Sequence, residues 1–188
     1  KLGFNAEGGS RNFHFATRET HSELHQFLRL ERRGRFTDGW FLRAESFYNV
    51  ASQVDDYGVA HGCGGVSLHA QSHGESFLAL LTNRLRGDGL YLFDEPEAAL
   101  SPSRQLAVLT LLHRLGHHRS QLVIATHSPL LLAYPRARIY EFGPDGIRAT
   151  AYEETEHFRL TRDFLNRHQH MVDLLLREEE NELEARRR

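Results

Sequence analysis

Apolar residues recur along this chain with different spacings, and each spacing predicts a different element. Asn12-Phe13-His14-Phe15-Ala16 alternates, so residues 1–18 read as a Gly- and Asn-rich loop leading into a strand arm. Thr20 or Ser22 caps a helix reaching about Arg33, with Leu24, Phe27 and Leu28 as its apolar stripe. Trp40-Phe41-Leu42 is a short strand, and Phe47, Val50, Ala51 and Val54 then fall at helical spacing between Glu45 and Asp56. Tyr57 to Val66 holds four glycines and no period, the pattern of a surface loop.

Further along, helix and strand patterns take turns. Glu75 to Arg86 is an amphipathic helix, and Leu90-Tyr91-Leu92-Phe93 after the Gly87-Asp88-Gly89 turn is a continuous apolar run suited to a strand buried on both faces. Pro102 to Leu115 is helical again, and Gln121 to Ala125 is a second buried strand. This alternation is the pattern of parallel α/β architecture. Arg138 to Phe142 and Ile147 to Tyr152 flank Gly143-Pro144-Asp145-Gly146, a turn that predicts a β-hairpin. Glu156 to Glu184 is a highly charged helix whose acidic and basic runs read as a solvated tail.

Composition narrows the class. Of 188 residues, 40% are hydrophobic and 26% charged, the balance of a soluble globular chain large enough for one core. No apolar run approaches the roughly 20 residues of a bilayer span and no secretory signal pattern opens the chain, so no membrane segment and a cytoplasmic location are expected. Cys63 is the only cysteine, which excludes an intrachain disulfide and a multi-cysteine zinc site. A net charge of −2 neither suggests nor forbids a nucleic acid partner. Among the 13 histidines, His113 and His117, and likewise His69 and His73, stand four residues apart, but neither pair has a third ligand at a defined spacing. Both pairs read as surface histidines.

The strongest chemical signal is Leu90-Tyr91-Leu92-Phe93-Asp94-Glu95-Pro96, in which two adjacent carboxylates end an apolar strand where open α/β sheets bind ligands. Asp94 is suited to hold Mg²⁺ through water, and Glu95 to polarise a water for in-line attack on a γ-phosphate. A strand followed by an acidic turn is the plain structural alternative. Gln71-Ser72-His73-Gly74-Glu75 puts a hydroxyl and free N–H groups at a helix N-terminus, which suits a phosphate, or is simply a Ser-capped helix. Ala125-Thr126-His127-Ser128-Pro129 sets His127 at the end of the next strand. After Trp40-Phe41-Leu42 come Arg43 and Glu45, which can meet phosphate and a metal's water respectively, or Glu45 is an exposed helix cap.

In order and spacing these segments resemble the ABC-type ATPase head, from about Phe41 to about Tyr152. Gln71 to Glu75 resembles the signature Leu-Ser-Gly-Gly-Gln, with His73 replacing the first glycine of the pair and Glu75 the glutamine. The resemblance implies that Ser72, His73, Gly74 and Glu75 face a nucleotide held by a second copy of the chain, arranged head to tail. Glu97-Ala98-Ala99-Leu100-Ser101-Pro102 resembles the D-loop, with Ser101 where transporters usually have Asp. His127 resembles the switch histidine that contacts the γ-phosphate and the attacking water, and Arg43 and Glu45 occupy the place of the Q-loop glutamine. The Ser-His-Gly-Glu form, with Arg-Ala-Glu-Ser-Phe upstream, is most similar to small stand-alone bacterial predicted ATPases of the AAA/ABC type. The fold implied is a P-loop NTPase-like parallel sheet with flanking helices, one domain over 1–188, with 41–152 as motif-bearing core and 156–188 as charged tail. ATP and Mg²⁺ are the cofactors implied.

One element of that class is missing. Gly-x-x-x-x-Gly-Lys-Ser/Thr needs a lysine after a glycine-rich loop, and of 23 basic residues the sole lysine is Lys1. The strand and helix bearing the loop are therefore expected to be missing, Leu2-Gly3-Phe4 to stand just after that helix, and the 188 residues alone to be inactive. Two readings follow: an ATP-hydrolysing head working as an ATP-sandwiched dimer, or a non-catalytic interaction or regulatory module with an ABC-like fold.

Overall fold

The computed structural model describes residues 2–11, 23–31, 34, 36–56, 68–70 and 72–187, apart from the side chains of Gln53, Asp55, Asp56 and His73. The strand expected at Asn12–Ala16, both expected ends of the first helix, the glycine-rich loop with Cys63, and Gln71 lie outside the described residues. The chain forms two compact units, Lys1–Leu131 and Leu132–Arg188.

In the first unit, strands β1 (Asp38–Arg43), β2 (Gly89–Asp94) and β3 (Gln121–Ala125) form a parallel sheet in that order. Pairing runs in register, so Trp40, Tyr91 and Leu122 form one cross-strand row and Leu42, Phe93 and Ile124 another. Period-two alternation sends both rows to the same face, where they meet the core. Three helices cover that face: α2 (Phe47–Asp56), α3 (His73–Arg84) and α4 (Pro102–His117). Their buried residues fall at i, i+3, i+4 and i+7, as in Phe47, Val50, Ala51 and Val54 or Val108, Leu111, Leu112 and Leu115.

Two sequence expectations need correction. The helix expected to reach Arg33 is only the single turn α1 (Leu24–Phe27), and Leu24, Phe27 and Leu28 are exposed. A short helix whose apolar stripe finds no core has little to hold it. Strands β2 and β3 are not buried on both faces either. The second row set, Phe41, Leu92 and Val123, is half-buried in β1 and β2, and Val123 is 52% exposed on β3, the edge strand. At the other edge, Gly9 exchanges two hydrogen bonds with Phe41, of 2.7 and 3.0 Å. Gly8, at φ +106°, lies so close that a Cβ there would stand 2.9 Å from the Phe41 carbonyl oxygen. The opening segment thus bridges the β1 edge at Phe41.

At the N-terminal end of the sheet, Asp38 gathers Arg84 (3.0 Å) and the Tyr91 hydroxyl (2.9 Å), while Arg84 stacks over Trp40 at 4.9 Å. Burial, ahead of the Asp38 contact, pushes the Tyr91 hydroxyl up to about 12.

Helix α5 (Pro129–Leu132) follows β3. The second unit contains the hairpin β4 (Ile139–Gly143) and β5 (Gly146–Thr150), turned by Pro144-Asp145, and helix α6 (Glu156–Arg186). Glu141 joins them, accepting from Arg148 across the hairpin at 2.6 Å and from the Glu156 N–H at the start of α6 at 3.1 Å. The tail is not one continuous helix: Arg167 leaves helical geometry (φ −138°, ψ 30°) and kinks it, which the charge pattern does not reveal. Among the described residues no helix is long and apolar enough to cross a membrane.

Candidate functional site

Parallel pairing brings the ends of the three strands together. Arg43 pairs with Asp94, and Asp94 with Ala125, so Glu95 and Thr126-His127 emerge side by side at the C-terminal edge. Arg43 bridges two carboxylates there, with Nε 3.2 Å from Asp94 and Nη2 3.1 Å from Glu45. The arginine is thus engaged by acids on both sides.

Glu95 adopts a left-handed conformation (φ 46°, ψ 52°), which costs a non-glycine residue about 1–2 kcal/mol. Its N–H donates to the Ala125 carbonyl at 2.9 Å, extending the ladder one step past Asp94. Its carboxylate turns towards His127, with Oε1 3.6 Å from Nε2, and both side chains are at least half exposed. Strain of this kind at a strand end concentrates at functional sites. Buried Pro96 then opens a tight turn over Pro96–Ala99.

Glu97, within that turn, was named from the sequence only as the start of the D-loop-like segment. Its Oε1 accepts the His127 N–H at 2.6 Å and its Oε2 the Thr126 hydroxyl at 2.7 Å. The one sequence signal was a third carboxylate two residues beyond Glu95; its partners depend on tertiary contact.

A second group surrounds the N-terminus of α3. Ser72 and Glu75 form a capping box in which Glu75 Oε2 accepts from the Ser72 hydroxyl at 2.5 Å and the Ser72 N–H at 3.1 Å. Arg104 Nη2 lies 3.3 Å from Glu75 Oε1. The Ser72 hydroxyl first, then its N–H, with Arg104 adding, hold the Glu75 carboxyl below the usual range. Gly74 is where backbones meet: a Cβ there would stand 2.8 Å from the Ala99 carbonyl oxygen and 2.4 Å from Arg104 Nη1. Ser101 holds the N-cap position of α4 without a side-chain capping bond, its Oγ 3.1 Å from Ser103 Oγ. His73 begins α3, and its side chain is outside the described atoms. No spacing in the sequence points to Arg104, which meets Glu75 and Gly74 only through tertiary contact.

The candidates therefore form two groups, with the Pro96–Ala99 turn between them: Arg43, Glu45, Asp94, Glu95 and His127 at the sheet edge, and Ser72, Gly74, Glu75 and Ser101 at two helix starts. Among the described residues no group of three or more His, Cys, Asp or Glu is arranged to hold a metal. His69 lies in a single 3-10 turn with Nε2 3.1 Å from Ser52 Oγ, and His113 and His117 pack edge to edge on α4.

The three-stranded parallel sheet flanked by helices, with Asp94 and Glu95 at the C-terminal end of its central strand, has the P-loop NTPase-like fold. Residues 12–133 match the family described as "AAA domain, putative AbiEii toxin, Type IV TA system", and the chain belongs to that family. It is an AAA-type, NTPase-like domain. No curated protein and no solved structure matches the chain.

Proposed function

We propose that this domain hydrolyses ATP with Mg²⁺ in the manner of an ABC-type head. The observation that carries the reading is the adjacency, at one sheet edge, of Asp94, a left-handed Glu95, and His127 within 3.6 Å of it. Glu95 polarises the attacking water, and His127 meets that water and the γ-phosphate. Asp94 holds Mg²⁺ through water by the oxygen that Arg43 leaves unengaged. A hydrated Mg²⁺ shared with nucleotide phosphates needs no cluster of three protein ligands.

Two copies associate head to tail, and Ser72, His73, Gly74 and Glu75 of one face the nucleotide of the other. Where the signature has a neutral glutamine, Glu75 brings a negative charge, and Arg104 at 3.3 Å offsets it. Ser101 lines the same interface, and Arg43 and Glu45 monitor the metal side. Such a head also needs a phosphate grip, and the sequence holds no Gly-x-x-x-x-Gly-Lys-Ser/Thr to provide it. The site of action is the cytoplasm.

The test is steady-state phosphate release by the product of the complete reading frame. Glu95→Gln is expected to lower turnover at least about 100-fold with ATP affinity preserved. Turnover near that of the unaltered protein overturns the role of Glu95, and an unaltered protein without turnover favours the non-catalytic module.

A further inference from the structure

His127 sits just past the end of β3, outside any helix or strand, with a side chain 72% exposed. The imidazole thus stands mostly in solvent, facing Glu95. The main chain around it is anchored instead, and the anchors converge on Glu97. One carboxylate oxygen takes the His127 N–H at 2.6 Å and the other takes the Thr126 hydroxyl at 2.7 Å. Thr126 Oγ in turn accepts the Ser128 N–H at 3.0 Å. Ser128 Oγ donates to Gln105 Oε1 at 2.6 Å and accepts the N–H groups of Leu130 and Leu131, while Gln105 Nε2 donates to the Leu100 carbonyl at 3.0 Å.

We infer that Glu97 is a positioning residue that sets the separation of Glu95 and His127. It sits two residues after Glu95, in the turn that Glu95 opens, and grips the segment that carries His127. A single carboxylate thereby ties the two sides of the site together. Both its oxygens already have donors, and charge-assisted hydrogen bonds of this kind are short and stiff. That assigns Glu97 to holding the site rather than to binding metal. The Ser128–Gln105 link fixes the far end of the same segment to α4, next to Ser101. A shift of the Pro96–Ala99 turn would therefore be passed to His127 through Glu97. A mispositioning of about 1 Å at a reacting centre costs on the order of 100-fold in rate, so the clamp matters to turnover without touching substrate.

The inference rests on the hydrolytic reading of Glu95 and His127, and its test separates the two. In the complete product, Glu97→Ala is expected to lower kcat about 30-fold or more with KM for Mg-ATP within about threefold, because binding is untouched while alignment is lost. Glu97→Gln should fall between, since an amide oxygen still accepts the His127 N–H. Combined with His127→Ala, Glu97→Ala should cost less than about twofold more, as expected when one residue acts through the other. Thr126→Val, which removes one arm of the clamp and keeps the shape, serves if Glu97→Ala does not fold, and should lower kcat several-fold with KM unchanged. A kcat for Glu97→Ala within about threefold of the unaltered protein, or full additivity with His127→Ala, overturns the inference. If the unaltered protein hydrolyses nothing, the hydrolytic reading fails by itself, and amide hydrogen exchange decides the clamp. Exchange at His127 should then rise at least about 100-fold in Glu97→Ala relative to β2 and β3, and an unchanged rate overturns it.

Discussion

Glu95 shows how a single residue can be set by its backbone before its side chain does anything. A non-glycine residue in left-handed geometry is retained only where its neighbours over-determine it, and here the Ala125 carbonyl and buried Pro96 do so. Glycine at this position would relieve about 1–2 kcal/mol of strain and give back about 0.5–1 through its greater unfolded freedom. Glu95→Gly is therefore expected to unfold at the same temperature as the unaltered protein, or up to about 3 °C higher, while losing hydrolysis. Calorimetry checks this, and a fall of several degrees would mean that the Glu95 side chain stabilises the turn. The pair of acids after Leu90-Tyr91-Leu92-Phe93 was legible in the sequence, because four apolar residues fix where the strand ends. The left-handed backbone of Glu95, the grip of Glu97 and the approach of Arg104 to Gly74 were not, because each depends on a partner distant in the chain.

Among elements, the helices that bury an apolar stripe were the most legible part. Phe47, Val50, Ala51 and Val54, and Val108, Leu111, Leu112 and Leu115, bury where their spacing says they should, and β3 begins and ends at the expected residues. What spacing cannot tell is position within the sheet, so β3 read as a buried strand although Val123 stands exposed at an edge. The same strands carry the Tyr91–Asp38–Arg84 network at the end away from the site. Burial holds the Tyr91 hydroxyl neutral up to about 12, above the ordinary value of 10.0. A phenol with a raised folded value contributes stability that is fully present below the unfolded value and lost as pH climbs through the folded one. Stability should therefore fall by roughly 2–3 kcal/mol between about pH 10 and 12, and Tyr91→Phe should flatten that decline. Urea titrations across the range check it, and an equally steep decline in Tyr91→Phe would move the cause elsewhere.

At the scale of the whole molecule, charge decides what these residues can do alone. Asp94, Glu95, Glu97 and Glu45 gather at the sheet edge, and among their described partners there Arg43 is the cation that pairs with Asp94 and Glu45. Such an edge repels a nucleotide's phosphates unless Mg²⁺ and a cationic loop offset it. The sequence contains no Gly-x-x-x-x-Gly-Lys-Ser/Thr, and of the row Phe41, Leu92 and Val123 only Val123 on β3 is exposed. The central claim is that these residues supply chemistry at the γ-phosphate and not the grip on the nucleotide. Titrating Mg-ATP into purified residues 1–188 by calorimetry tests it most directly: no binding is expected at concentrations on the order of 1 mM, since the backbone amides and lysine that cradle phosphates in this fold are absent. Binding at about 1–10 μM, worth roughly 7–8 kcal/mol, would contradict the claim and require a phosphate site built from the residues already here.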